Sequence, residues 1–147
     1  MDFQEFSLTF KLQNMPWRIP YYHDVGLLLI RVGLAAVFII HGWQKWQNLD
    51  EVTNFFTGLG IPGWMAYIVA FTELVGGLAV LFGWLARFFS LGLAVIMVVA
   101  ITTAKFNLGF VGGYEFELML LLMALAIALA GPGRYRLKLA NWGNQQV

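Results

Sequence analysis

The sequence predicts an all-α protein, a four-helix transmembrane bundle with both termini on the cytoplasmic side. Three observations carry this reading. Of 147 residues, 60% are hydrophobic and only 12% charged, with a mean hydropathy of +0.72, whereas soluble domains carry ~25% charged residues. Four segments are continuous apolar runs of the ~20 residues that a membrane-spanning helix needs. Lys and Arg gather at alternate ends of these segments. The runs are read as helices because they do not alternate, and because a helix satisfies its own backbone groups in lipid.

The chain opens with MDFQEFSLTFKLQNMPWRIP, which lacks the basic start and cleavage site of a secretory signal. Residues 1–20 are expected to form an N-terminal amphipathic, aromatic arm, with Phe3, Phe6 and Phe10 placed to dip one face into the headgroup region. A tail that packs on a partner is the alternative. The first helix is predicted from about His23 to Trp43, with Arg31 inside it. Gly60-Ile61-Pro62-Gly63 then breaks the chain, and Pro62 suits the first turn of the second helix, which runs to about Trp84 with Glu73 near its middle. The third helix, about Leu85 to Ala104, follows almost at once, so the two form a tight antiparallel hairpin. The fourth, about Tyr114 to Gly131, carries Glu115 and Glu117 at its start and stops at Gly131-Pro132-Gly133. Residues 21–137 thus make one transmembrane domain, and 138–147 a short polar tail.

Trp17, Tyr21, Trp43, Trp46, Trp64, Trp84, Tyr114 and Tyr135 fall near the predicted ends, as an aromatic belt requires. Lys11, Arg18, Arg87, Arg134, Arg136 and Lys138 share one side, and only Lys45 and Lys105 the other. By the positive-inside rule both termini are cytoplasmic.

Two full charges sit inside apolar runs. Arg31 and Glu73 lie about 13 and 15 Å deep from the same side at 1.5 Å per residue, and an unpaired charge there costs about 2.5–3.5 kcal/mol. The two are therefore expected to face each other. Such a pair either fixes helix register or forms a polar pocket for a ligand headgroup or a proton. His41 and Lys45, one turn apart, and Glu117 make a second candidate cluster near the outer level. There they are either solvated helix-end charges or part of an outward-opening pocket, in which His41 exchanges a proton near neutral pH. Gly76 and Gly77 give a neighbouring helix room to come close.

Several classes are excluded. With no cysteine, the chain carries no disulfide, iron–sulfur cluster or thiol redox centre. A net charge of +1 gives no sign of nucleic acid. His23 and His41 stand about 27 Å apart along one helix and cannot share a haem iron. No metal-binding or phosphate-binding motif occurs, so no metal and no covalent cofactor is expected. Any electrons passing through must be held by an organic carrier or a partner subunit.

The residues LLLIRVGLAAVFIIHGWQKW and GIPGWMAYIVAFTELVGGLAVLFGWLAR, with YEFELMLLL and AGPGRYRL, resemble the DoxX family of small bacterial and archaeal membrane proteins. The resemblance spans roughly Tyr22 to Leu137; the exit Arg136-Leu137-Lys138 departs from it, as does the aromatic arm. It implies a bundle in the cytoplasmic (inner) membrane, associated with quinone- or quinol-linked respiratory or oxidative-stress systems. Arg31, His41, Lys45, Glu73 and Glu117 match the family's polar pattern. The resulting expectation is an accessory subunit in the lipid bilayer, working with other membrane redox subunits and binding a quinone, a quinol or a lipid. In that role it is a quinone-linked oxidoreductase subunit without its own metal or thiol centre. A purely structural assembly subunit and a small transporter are the alternatives.

Overall fold

The computed structural model describes residues 22–137. The expected aromatic arm at 1–20 and the tail at 138–147 lie outside the described residues. Within them the chain forms α1 (His23–Gln47), α2 (Leu49–Gly58), α3 (Met65–Phe82), α4 (Ala86–Ala100) and α5 (Glu115–Ala130). Helix α4 continues through a π turn at Ile101–Lys105 and a 3-10 turn at Phe106–Leu108, and a second π segment, Phe110–Tyr114, leads into α5. Among the described residues, four helical spans are long and apolar enough to cross a membrane: 23–47, 65–82, 86–108 and 110–130. The fold class is therefore all-helical and membrane-spanning.

Helix α2 lies between the first and second predicted helices, where the sequence reading places no helix. Its apolar residues Leu49, Val52, Phe55 and Phe56, followed by Leu59, recur at three- and four-residue steps, the spacing of one helical face. It is too short to cross lipid, since ten residues span only about 15 Å. None of its residues is fully buried.

The bundle closes as a ring. Helix α1 packs most extensively on antiparallel α3, α3 on α4, α4 on α5, and α5 back on α1. Leu34, Phe38, Val80, Leu93, Met97 and Leu120 meet along the axis in the main core, and Leu27, Ala86 and Ile127 form a smaller one toward the end where α1 begins. Large apolar side chains such as Leu29, Phe71, Phe88, Leu91 and Leu129 point outward, where lipid is the solvent.

Between lipid-solvated helices there is little hydrophobic force, so close backbone approach does the packing. The α1–α3 seam shows this. A Cβ at Gly42 would lie 2.5 Å from the Leu74 amide nitrogen, and one at Gly77 would lie 3.1 Å from the Ile39 nitrogen. Gly76 instead faces Leu93 and Phe89 of α4 at ordinary contact distance.

The hairpin between α3 and α4 turns on Gly83, whose φ of +75° is the left-handed conformation a side chain resists. The Gly83 amide donates to Val80 O, and Trp84 N to Ala79 O at 2.9 Å, a paired closure of the last turn. The space matters too: a Cβ at Gly83 would sit 2.8 Å from the Arg31 Nη2.

Replacing Gly42 by Leu is expected to force α1 off α3 and cost at least ~1–3 kcal/mol, the usual range for overpacking. Gly26→Leu, with nothing within 4 Å of its added Cβ, is the control. Unfolding in detergent followed by circular dichroism measures both. Equal melting of the two variants would refute the seam.

Candidate functional site in the membrane interior

The expected contact between Arg31 and Glu73 does not form. Both side chains are 1% exposed, yet each takes a different partner. The reason is direction. Helical side chains lean toward the N-terminus of their own helix. Arg31 on α1 therefore leans toward the end where α1 begins, while Glu73 on the antiparallel α3 leans toward the end where α1 finishes. Cα atoms at similar depth thus send their charges apart.

Arg31 reaches the C-terminal end of α3. Its Nε donates to Val80 O at 2.8 Å, its Nη2 to Leu81 O, and its Nη1 to Pro132 O at 2.8 Å and to Tyr135 O. The last carbonyls of a helix have no partner within it and carry the negative end of its dipole. A guanidinium, with five donors in a rigid fork, suits this task, and an ammonium does not. The Leu137 amide donates to Phe82 O at 2.9 Å, completing the cap. Arg31 thus sits among peptide oxygens and ties the exit segment after α5 to the end of α3.

Lys45, one turn beyond His41, leans back into the bundle and forms an ion pair with Glu73 Oε1. Lys45 keeps 27% exposure while Glu73 keeps 1%. The other oxygen, Glu73 Oε2, is buried and, among the described residues, has no hydrogen-bond partner. A buried carboxylate oxygen left this way is uncommon, because desolvation costs more than a typical hydrogen bond returns.

Glu73 and Lys45 form part of the wall of a cavity of about 710 Å³ between the end of α1, α2, α3 and α4. Phe55 and Phe56 of α2, Met65 and Val69 of α3, and Val95 and Val99 of α4 are among the apolar residues of the wall. The short helix α2 supplies one side of it. The cavity thus has further ammonium donors on Lys45 and the buried Glu73 carboxylate at its wall within an apolar envelope, where hydrogen bonds are strong. It suits a flat or elongated apolar molecule with one polar end.

The remaining candidates do not join this site. His41 is exposed, with its ring centroid 6.4 Å from that of Phe116 on α5. Glu117 pairs with Lys105 at 3.9 Å across the start of α5 and the π turn after α4, and its Oε2 lacks a partner. Glu115 accepts a hydrogen bond from Gly112 N at 2.9 Å, which closes the kinked π segment on itself. Of the outward-opening pocket expected from His41, Lys45 and Glu117, the two charged groups take different partners, Lys45 pairing with Glu73 and Glu117 with Lys105, while the His41 ring lies beside Phe116, the neighbour of Glu117 on α5. Among the described residues, no three His, Asp or Glu side chains converge as metal ligands would. Sequence reasoning missed the Lys45–Glu73 pair and the role of α2, although the spacing of Phe55 and Phe56 after Val52 carried a signal for the latter.

A family model described as DoxX matches residues 26–106, the span that holds Arg31, Lys45 and Glu73. The chain is 38% identical to "Putative oxidoreductase CatD" of Bacillus subtilis (strain 168) over 96 residues, 65% of this chain and 72% of that protein. It is 36% identical to "Inner membrane protein YqjF" of Escherichia coli (strain K12) over 87 residues, 59% of this chain and 56% of that protein. The match thus spans little more than half of the E. coli protein. No solved structure matches the chain.

Lys45→Met leaves Glu73 buried without a counter-charge and is expected to cost ~3–5 kcal/mol, the usual price of breaking a buried pair. Adding Glu73→Gln should recover most of that loss, as judged by chemical unfolding of both variants in detergent. If the losses simply add, the pair is not coupled. Arg31→Lys is expected to loosen the segment after α5, and faster protease cleavage near Tyr135 would register it; wild-type cleavage rates would contradict the cap.

Proposed function

Because this chain belongs to the DoxX family, we propose that it is an accessory component of a membrane redox system, one that holds the headgroup of a lipophilic quinone or quinol against Glu73 and Lys45. The observation that carries the reading is the Lys45–Glu73 pair in the wall of an apolar cavity, with Glu73 Oε2 buried and, among the described residues, without a hydrogen-bond partner. A quinol hydroxyl would donate to that oxygen. A quinone carbonyl would accept from the Lys45 ammonium, which keeps donors beyond the one given to Glu73. The aromatic and aliphatic wall would hold the ring and the first part of an apolar tail.

The name of the Bacillus subtilis relative, an oxidoreductase, supports a redox setting. The chain has no cysteine, and the Lys45–Glu73 pair handles protons and hydrogen bonds rather than electrons. The electrons are passed on by a partner subunit in the same membrane. The name of the E. coli relative places that protein in the inner membrane, and the same location is proposed here. The balance of Lys and Arg, with Arg87, Arg134 and Arg136 at one end and Lys45 and Lys105 at the other, supports a cytoplasmic position for the end that carries both termini.

Titration of the purified protein with a short-chain ubiquinone and its quinol, followed by tryptophan fluorescence, tests the site. Glu73→Gln removes the charge and leaves one acceptor oxygen to serve both Lys45 and the hydroxyl, and is expected to weaken quinol binding by about tenfold or more, the scale of a hydrogen bond to a charged group. Unchanged affinity in a folded variant would overturn the proposal.

A further inference from the structure

At the opposite end of the bundle from the Glu73 cavity, a cleft of about 860 Å³ opens between the α3–α4 turn, the start of α4 and the exit from α5. Three arginines line it, Arg87, Arg134 and Arg136. The carboxylate in its wall, Asp24, accepts a hydrogen bond from the Arg134 backbone amide at 2.9 Å. Among the described residues, none of the three arginines has a carboxylate within ion-pair distance. Arg87 makes only long contacts, 3.5 Å from Nη2 to Leu129 O and Ala130 O. The lining therefore holds a surplus of two positive charges over Asp24.

Placement of these charges goes beyond a general excess of Arg at a membrane face. Gly131 makes room for one of them: a Cβ there would lie 3.0 Å from the Arg87 Nε and 3.1 Å from its Nη2, displacing the guanidinium. Directly beside the charges, Leu85 and Phe88 belong to the cleft wall and are 56% and 72% exposed. Leu129, next to the cleft on α5, is 81% exposed. A free anion has no use for this apolar margin. A phospholipid does, because its phosphate and its acyl chains are joined in the same order as the arginines and the apolar side chains here.

We propose that this cleft is a binding site for the phosphodiester headgroup of an anionic phospholipid, whose acyl chains lie along the outer surface of α4 and α5. Arginine suits the task, since its fork binds two phosphate oxygens at once. The site is separate from the quinone-binding reading and stands or falls without it.

Native mass spectrometry of the full chain, released from detergent in the presence of dioleoyl phosphatidylglycerol or dioleoyl phosphatidylcholine, tests it. Phosphatidylglycerol is expected to bind at least tenfold more tightly. Arg87→Gln, Arg134→Gln and Arg136→Gln, made singly so that the other arginines keep the topology, are each expected to weaken it about fivefold, the scale for one basic side chain at an anionic membrane surface. Arg87→Lys should retain part of the affinity, which separates loss of charge from loss of folding. Lys105→Gln, at the far end, should change nothing. Equal binding of the two lipids, full affinity in the three arginine variants, or an equal loss in Lys105→Gln would overturn the proposal. Displacement of the lipid by millimolar inorganic phosphate would overturn it in favour of a free-anion site.

Discussion

The arrangement of this bundle depends on one buried guanidinium and the peptide oxygens around it. Among the described residues Arg31 has no carboxylate partner; it is held by Val80, Leu81, Pro132 and Tyr135 carbonyls. In lipid every backbone group must find a partner inside the protein. The end of α3 and the chain leaving α5 both present carbonyls at one level, and a single fork of donors answers both. Three helices are thereby brought into register at one end: α1, which supplies the arginine, α3, which it caps, and α5, whose exit it holds. Gly83 makes this possible by turning the chain with a positive φ and leaving the space that a side chain would take from Arg31.

With Arg31 committed to the backbone, Glu73 is left to Lys45. The pair forms near the other end of the same α1–α3 seam, where Gly42 and Gly77 bring the two backbones close. Tight packing along that seam keeps the carboxylate dry, and the short helix α2 supplies one side of the space beside it. A membrane bundle of four helices has few places for a cavity, because small residues draw the helices together. Here the cavity lies where the seam ends and α2 takes over as wall. The chemistry at one end and the architecture at the other are thus consequences of a single antiparallel helix pair.

Much of the fold was legible. Apolar runs, punctuated by Gly60-Ile61-Pro62-Gly63 and Gly131-Pro132-Gly133, place four helices that cross lipid, and no other class accommodates them. Gly77 was legible as a packing residue because only small residues admit a neighbouring backbone. Helix α2 was legible in principle from its apolar spacing, yet a ten-residue amphipathic segment between membrane spans competes with a loop until something packs beneath it. The third helix was read to about Ala104, but that its end runs through π and 3-10 turns was not legible, since Thr102 and Thr103 bond back to carbonyls at Val98 and Val99 only once the helix already exists.

The buried charges divide the two levels of information most clearly. The sequence by itself determined that Arg31 and Glu73 lie inside the membrane and that each must be compensated, because depth follows from helical rise and the cost of a bare charge from the low dielectric. Which group compensates which was decided only in the tertiary structure. Side chains lean toward their own helix N-terminus, so two antiparallel helices send level residues in opposite directions. Backbone carbonyls at a helix end, which carry no letter in the sequence, proved to be the counterpart of the arginine. The partner of Glu73, in turn, was a lysine that the sequence placed at the membrane surface.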